Sequence, residues 1–218
     1  SQALANPERP FTAVVGGAKV SSKIGVLENL LDKVDNMIIG GGMAYTFVKA
    51  NGGKIGNSIC EDDQIETAKA IEKKAAEKGV KLVMATDVLV TDDFSGNGTN
   101  KFVKINEIPD GFEGVDAGPD SRKAFADVLK SSKTILMNGP VGAFENPKFA
   151  EGTKAVLEAI VEATKAGATS VIGGGDSVSA AKKFFKAEDF THVSTGGGAS
   201  LEFIEGKVLP GVAALDDK

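Results

Sequence analysis

Short runs of β-branched and apolar residues recur along the chain, and most of them end at glycine. The first run, residues 12–15, precedes Gly16 and Gly17, and later runs repeat this arrangement. A short apolar run bounded by turn residues is typical of a buried strand. We predict six strands, at residues 12–15, 37–39, 82–84, 134–137, 170–172 and 191–195.

The segments between these runs repeat apolar residues at helical spacing. Ile24, Leu27 and Leu31 fall on one face of such a segment, which predicts an amphipathic helix. Alternating strands and helices indicate a parallel sheet with right-handed crossovers. The predicted fold class is α/β: a doubly wound, mostly parallel six-stranded sheet in a Rossmann-like three-layer sandwich. Helices are expected at residues 24–34, 63–78, 121–130, 156–161 and 177–185.

The alternation breaks at about residues 87–119. Residues 92–100 are polar and rich in turn formers, and β-favouring runs at 88–90 and 102–105 flank them. We interpret this segment as a small hairpin excursion at the edge of the sheet. Residues 1–10 contain no complete element, so one domain is expected over residues 11–218.

Composition excludes several partners. The chain carries 25 Lys and Arg against 30 Asp and Glu, a net charge of −5, and it has no basic run, which argues against nucleic acid. No apolar run approaches the roughly 20 residues that span a bilayer, so no membrane partner is expected. The single cysteine, Cys60, cannot form an internal disulfide, and no secretion signal is evident, which indicates a cytoplasmic protein.

Glycine clusters are the most unusual feature of the chain, which contains 27 glycines. In an open parallel sheet they would all lie at the carboxyl ends of strands, where ligands bind. Glycine lets the backbone approach a ligand closely, and the helix that follows offers unpaired N–H groups to an anion. One cluster could simply form a tight turn, but several on one edge indicate a phosphate site.

The standard nucleotide fingerprints are missing. Neither G-x-x-x-x-G-K-[ST] nor G-x-G-x-x-G follows any of the predicted strands. Their absence argues against a P-loop NTPase and against a dinucleotide dehydrogenase.

Three charged residues follow the glycine clusters. Lys19 and Lys23 lie four residues apart at a predicted helix start, so they would share one face and point toward one phosphate. The alternative is an ordinary solvated pair. Asp176 follows another cluster and could supply the carboxylate that a Mg²⁺-nucleotide needs. Either Asp176 or its neighbour Ser177 could instead cap a helix.

Other chemistry has less support. Ser177 lacks the second glycine of G-x-S-x-G, and His192 is the only histidine, which argues against a serine hydrolase. His192 lies in a strand-like run, and Cys60 has no second thiol or nearby histidine. Both are interpreted as structural or inert.

Five ordered motifs resemble the C-terminal, nucleotide-binding domain of phosphoglycerate kinases over essentially the whole chain. They are GGAKV at 16–20 with Lys23, IIGGGMA at 38–44, NGPVGAFE at 138–145, GGGDS at 173–177 and STGGGASLEFIEGKVLPG at 194–211. By this resemblance residues 1–10 are the remnant of an interdomain connection. The family's N-terminal domain, which binds the sugar acid, is expected to be missing.

The resemblance also implies residue roles. The implied catalytic residues are Lys19, Lys23, Gly175 and Gly198, with Lys19 on the nucleotide phosphates and Lys23 on the transferring phosphoryl group. Asp176 is the implied Mg²⁺ ligand. The other implied nucleotide contacts are Gly17, Ala18, Gly41, Gly42, Gly114, Val115, Asn138, Pro140, Glu145, Gly174 and Ser177. Of these, Gly41, Gly42, Gly114 and Val115 would wall the adenine, and Pro140 and Glu145 would lie at the ribose.

The implied reaction is reversible phosphoryl transfer between 1,3-bisphosphoglycerate and ADP in glycolysis, with Mg-ADP or Mg-ATP as the nucleotide. Such transfer depends mainly on positioning and charge neutralisation. Without the acceptor domain, a monomer that binds nucleotide with little or no turnover is expected. Two alternatives are a stand-alone regulatory module that keeps the nucleotide site, and an unrelated transferase on a similar sheet.

Three positions depart from the family pattern. Ser22 stands where Asp is common, Met137 where Trp is common and Ser177 where Thr is common. Ser22 removes a carboxylate from between the two lysines.

Overall fold

The computed structural model describes residues 6–194, and its centre is a six-stranded sheet. Its strands are Phe11–Val15 (β1), Asn36–Ile39 (β2), Lys81–Met84 (β4), Thr134–Asn138 (β9), Thr169–Gly173 (β10) and His192–Val193 (β11). The strand order is β11-β10-β9-β1-β2-β4, and every neighbouring pair is parallel. All six predicted strands are therefore present and share one sheet.

Six α-helices connect these strands in the described part of the chain. They are α1 (Ile24–Leu31), α2 (Ala44–Ala50), α3 (Ile65–Lys78), α4 (Pro119–Lys130), α5 (Glu151–Lys165) and α6 (Gly175–Phe184). Five match predicted helices, whereas α2 was not predicted. Its residues are buried on almost every side, so it shows no apolar stripe. None of the helices within residues 6–194 is long and apolar enough to span a bilayer.

The helices cover both faces of the sheet. On one face, α1, α2 and α3 contribute Leu27, Phe47 and Ile71 to one apolar cluster. On the other, α4 and α5 contribute Phe125 and Ile160 to a second cluster. The fold is the predicted three-layer, doubly wound sandwich, because each sheet face is apolar and must be covered by helices.

The excursion after β4 contains the predicted hairpin. Strands β5 (Asp87–Thr91) and β6 (Asn100–Lys104) pair antiparallel. A third strand, β8 (Glu113–Ala117), pairs antiparallel with the other side of β5, so the excursion is a small three-stranded sheet. Two shorter strands, β3 (Lys54–Ile55) and β7 (Glu107–Ile108), form a separate parallel pair.

Candidate functional site

The loops that follow three central strands meet backbone to backbone. The Gly16 N–H donates to the Asn138 carbonyl at 2.9 Å, and the Met43 N–H donates to the Gly17 carbonyl at 3.0 Å. A Cβ at Gly16 would lie 2.0 Å from the Pro140 carbonyl oxygen. At Gly41, φ is +74° and a Cβ would lie 2.7 Å from the Gly17 backbone. Both positions therefore require glycine.

A cavity of about 410 Å³ opens beside these loops. This volume is in the usual range for small-molecule sites. Strand β8 of the excursion forms one wall of the cavity. The loops that follow β1, β2 and β9 form another. Nine residues implied as nucleotide contacts line it: Gly17, Ala18, Gly41, Gly42, Gly114, Val115, Pro140, Glu145 and Asp176.

A second group of predicted residues lies next to the cavity rather than on its walls. The Lys23 ammonium donates to the Asn138 side-chain oxygen. The Ser177 hydroxyl is buried and accepts a hydrogen bond from the Gly139 N–H. Gly174 faces the Asn138 side chain, because a Cβ there would lie 3.6 Å from its amide nitrogen. Gly175 begins α6 at this place. The structure thus joins the β9 loop to the start of α6.

The predicted helical pairing of the two lysines is wrong. Helix α1 begins at Ile24, so Lys19 and Lys23 both precede it. Val20 is fully buried between them, and its carbonyl accepts from the Lys23 N–H at 2.9 Å in a turn. This turn comes before the first residue of α1, so the two lysines do not lie on successive turns of one helix. Lys19 is exposed, whereas Lys23 is half-buried against Asn138.

Burial also changes the electrostatics of Lys23. Removal from water lowers the pKa of its ammonium, and the negative charge of Asp176 partly opposes this shift. A half-buried cation with one neutral hydrogen-bond partner would gain from an anionic ligand.

A carboxylate approaches the lysine loop from elsewhere in the chain. Glu61 accepts from the Ser21 N–H at 3.1 Å and from the Ser21 hydroxyl at 2.6 Å. It also interacts electrostatically with Lys19. The segment that carries the two lysines therefore has an acidic partner. That partner is Glu61 rather than a residue at position 22, where this chain has serine.

Asp176 does not cap its helix. The N-cap of α6 is Gly174, at φ +86°, and no side chain caps this end. The first N–H to bond within the helix belongs to Val178, at 3.0 Å from the Gly174 carbonyl. The N–H groups of Gly175, Asp176 and Ser177 therefore come before the helix's own hydrogen bonds, as expected at a helix start. The N-terminus of α6 carries a partial positive charge, and the exposed carboxylate of Asp176 in its first turn lines the cavity.

One carboxylate suits a magnesium ion that arrives with a phosphate ligand. Mg²⁺ often takes one or two protein carboxylates and completes its shell with phosphate oxygens and water. Within residues 6–194 no group of three or more His, Cys, Asp or Glu side chains is arranged to hold a metal. Asp176, on the cavity wall, suits the role of a single protein ligand to a magnesium ion that phosphate and water otherwise coordinate.

Several cavity residues were not predicted. Tyr45 of α2 and Glu113 of β8 line it, and burial raises the pKa of the Glu113 carboxyl. Ile59 and Phe94 also line it and are 46% and 59% exposed. They come from separate loops, so no local pattern connects them with the glycine motifs. The only sequence signal was the occurrence of large apolar residues within polar loops.

A buried carboxylate lies behind the cavity wall. The Asp116 side chain is fully buried and accepts from the N–H groups of Ala117 and Gly152, both at 2.9 Å. Its only cationic partner among the described residues is Arg122, at 3.5 Å. A Cβ at Gly142, a cavity residue, would lie 2.4 Å from its oxygen. Burial raises the pKa of this carboxyl to about 7.

The structure gives no support to hydrolase chemistry. Ser177 is buried with its hydroxyl held by Gly139, while His192 is exposed on the edge strand β11. Burial raises the pKa of the Cys60 thiol, which favours the unreactive, protonated form. Gly198, predicted to be catalytic, lies outside the described residues.

Comparison with known proteins identifies close relatives. The model of the phosphoglycerate kinase family matches residues 1–207. A solved structure of phosphoglycerate kinase from Coxiella burnetii is similar at a TM-score of 0.92 and 44% identity, covering 99% of this chain and 55% of that one. A phosphoglycerate kinase from Pyrococcus horikoshii OT3 is similar at 0.80 and 28%, covering 99% and 54%. The chain spans about half the length of these relatives.

Proposed function

Because the chain belongs to the phosphoglycerate kinase family, we propose that it is the nucleotide-binding half of such an enzyme. It would hold Mg-ADP or Mg-ATP for reversible phosphoryl transfer between 1,3-bisphosphoglycerate and ADP in glycolysis. One observation carries this proposal. A cavity of about 410 Å³ opens at the carboxyl ends of the strands and shares Asp176 with the start of α6. Family membership argues against an unrelated transferase.

The two sides of the site would suit the two parts of a nucleotide. Gly42, Gly114 and Val115 form a mostly backbone and apolar wall, which suits a flat base. Pro140 and Glu145 would lie along the ribose. The phosphates would extend toward the N–H groups at the start of α6, where a helix end favours negative charge.

The two lysines would have different tasks. Lys19 is exposed and preceded by Gly17 and Ala18 on the cavity wall, so it can reach a phosphate from the solvent side. Lys23 is half-buried and held by Asn138, so a phosphate would compete for its ammonium. Charge placed in this way stabilises phosphoryl transfer without covalent chemistry. Magnesium bound with the nucleotide would neutralise further phosphate charge, with Asp176 as its protein ligand.

The chain alone would bind nucleotide with little or no turnover. Phosphoryl transfer needs the acceptor aligned with the nucleotide and shielded from water, and the proposed partner for that task is the remaining half of the enzyme. We propose a cytoplasmic monomer. A coupled kinase assay should therefore give a rate near background for this chain, and a rate typical of kinases would contradict the proposal.

Calorimetric titration with Mg-ATP tests the binding site. Lys23→Met should weaken binding roughly 10- to 100-fold, because a hydrogen bond to a charged group is lost. Lys182→Met is the matched control, since Lys182 is exposed on α6 away from its first turn, and it should bind as the wild type does. Adenosine, which has no phosphate, should bind both variants equally.

The metal role of Asp176 needs a separate comparison. Asp176→Asn should weaken binding of Mg-ATP and leave binding of ATP in EDTA unchanged or slightly stronger. Asp127→Asn, at an exposed position of α4, controls for the loss of one negative charge. If the wild-type chain binds no adenine nucleotide, the proposed function is wrong. An equal effect of Asp176→Asn with and without magnesium would exclude the metal role.

A further inference from the structure

Glu61 connects the segment of the two lysines to helix α2. Its carboxylate accepts from the Ser21 N–H at 3.1 Å and from the Ser21 hydroxyl at 2.6 Å, and the Val20 N–H also hydrogen-bonds to it. Its own N–H donates to the hydroxyl oxygen of Thr46 at 3.2 Å, and Thr46 is 1% exposed in α2. A carboxylate anchored on a buried helix therefore holds the two residues that follow Lys19.

The turn between the two lysines is also fixed from within. The Ser22 hydroxyl donates to the Lys19 carbonyl at 3.0 Å, and the Lys23 N–H donates to the Val20 carbonyl at 2.9 Å. These two bonds set the shape of the turn, because each of them joins residues of the turn itself. The Glu61 contacts join the turn to a distant part of the chain, so they help to set where the turn lies relative to the cavity.

The Glu61 side chain carries a negative charge at neutral pH. Burial acts to raise the pKa of its carboxyl, but hydrogen bonds from Ser21 and Val20 and the charge of Lys19 together hold that pKa below its ordinary value. Hydrogen bonds to an ionised acceptor are stronger than those between neutral groups. The same charge would, on its own, reduce the attraction of Lys19 for an anion. Glu61 thus has two opposite effects on a phosphate site, one through position and one through charge.

The effect through position should be the larger of the two. Lys19 is exposed, and water and salt screen the interaction between exposed charges, so the charge of Glu61 subtracts little from phosphate binding. Ordering a mobile lysine segment during binding would cost conformational entropy. A segment that is already held in place by Glu61 avoids most of that cost.

We propose that Glu61 is a positioning residue for Lys19. By holding Ser21 it keeps Lys19 next to Gly17 and Ala18 of the cavity wall before a phosphate binds. The inference rests on the proposed function, because it assumes that Lys19 contacts a nucleotide phosphate. It assigns a role in the site to a residue outside the glycine motifs, from the loop that precedes α3.

Calorimetric titration of the chain with Mg-ATP separates the effect of position from that of charge. Glu61→Ala removes the contacts to Ser21 and should weaken binding roughly 3- to 10-fold. Glu61→Gln can still accept from the Ser21 N–H and can donate its amide to the Ser21 hydroxyl, so it should bind close to the wild-type affinity or above it. Glu77→Ala, at an exposed position of α3, is the matched control and should bind as the wild type does. Unchanged or tighter binding by Glu61→Ala, or equal losses in the Ala and Gln variants, would overturn the inference.

The Lys19→Met background tests whether Glu61 acts through the lysine. In that background Glu61→Ala should cause no further loss of Mg-ATP affinity, because no ammonium remains to be positioned. A loss of the same size with and without the lysine would overturn the inference.

Adenosine, which has no phosphate, supplies the remaining control. It should bind the wild type and Glu61→Ala equally, which also shows that the variant is folded. If adenosine and Mg-ATP lose the same factor, Glu61 acts through its neighbour Ile59 on the cavity wall and the inference is wrong. If the wild type binds no Mg-ATP, the proposed function fails and the inference fails with it, whereas wild-type affinity in Glu61→Ala refutes the inference alone.

Discussion

The buried Asp116 carboxylate predicts an unusual pH dependence of stability. Burial raises its pKa from 3.8 to about 7 in the folded chain. Between these values the unfolded chain releases a proton that the folded chain keeps, so the folded state loses stability as pH rises. At about 1.4 kcal/mol for each pKa unit, this interval corresponds to a loss of up to about 4 kcal/mol between pH 4 and pH 7.

Asp116→Asn should remove this pH dependence. The amide offers one accepting oxygen in place of two, so one of the N–H groups of Ala117 and Gly152 loses its acceptor. The unpaired N–H should lower the free energy of unfolding of the variant by about 1 to 3 kcal/mol, and this contribution does not change with pH. The free energy of unfolding of the variant should therefore be well below that of the wild type at pH 4.5. The difference should shrink or reverse by pH 8.

Urea unfolding of both proteins from pH 4.5 to pH 8 measures this difference directly. Asp110→Asn, at an exposed turn position, is the matched control and should follow the wild-type curve at all pH values. Curves for wild type and Asp116→Asn that stay parallel within about 1 kcal/mol would refute the reasoning.

Two further predictions concern close packing and an unpaired hydroxyl. Gly16→Ala should destabilise the fold by about 1 to 3 kcal/mol or more, because its methyl group would overlap a carbonyl oxygen. Gly175→Ala, whose methyl meets open space, should change stability by less than about 1 kcal/mol in the same urea experiment. Thr153→Val should be neutral or stabilising by about 1 kcal/mol, since the Thr153 hydroxyl is buried without a partner among the described residues. Thr164→Val in the same helix should destabilise, because the Thr164 hydroxyl bonds the Ile160 carbonyl at 2.7 Å; the opposite order of melting temperatures would contradict this assignment.

Local patterns predicted the fold well where a helix buries only one face and where a short apolar run ends at glycine. Helix α1 is an example of the first, and the fully buried strand β1 is an example of the second. Helix α2 escaped prediction because Tyr45, Thr46 and Phe47 are all buried. A helix buried on all sides has no periodic contrast between apolar and polar positions.

The candidate site was predictable in part. The glycines at 16–17, 40–42 and 173–175 follow parallel strands, and parallel strands bring their carboxyl ends to one edge of the sheet. The arrangement of Lys19 and Lys23 was not predictable from their spacing, because a turn precedes α1 there and Glu61, 40 residues away in the chain, accepts hydrogen bonds from Ser21. Contacts with distant parts of the chain decided the local conformation there.

By itself, the sequence determined the alternation of the six sheet strands with five of the helices, the edge on which the glycine loops gather and the motifs that resemble phosphoglycerate kinases. Only the tertiary structure decided which atoms those residues meet. It joins Lys23 to Asn138, and it sets the Tyr45 ring against Gly114. The physical reason is that strand and helix periodicity is a property of neighbouring residues, whereas these contacts join residues more than 60 positions apart. Their geometry depends on how the layers pack.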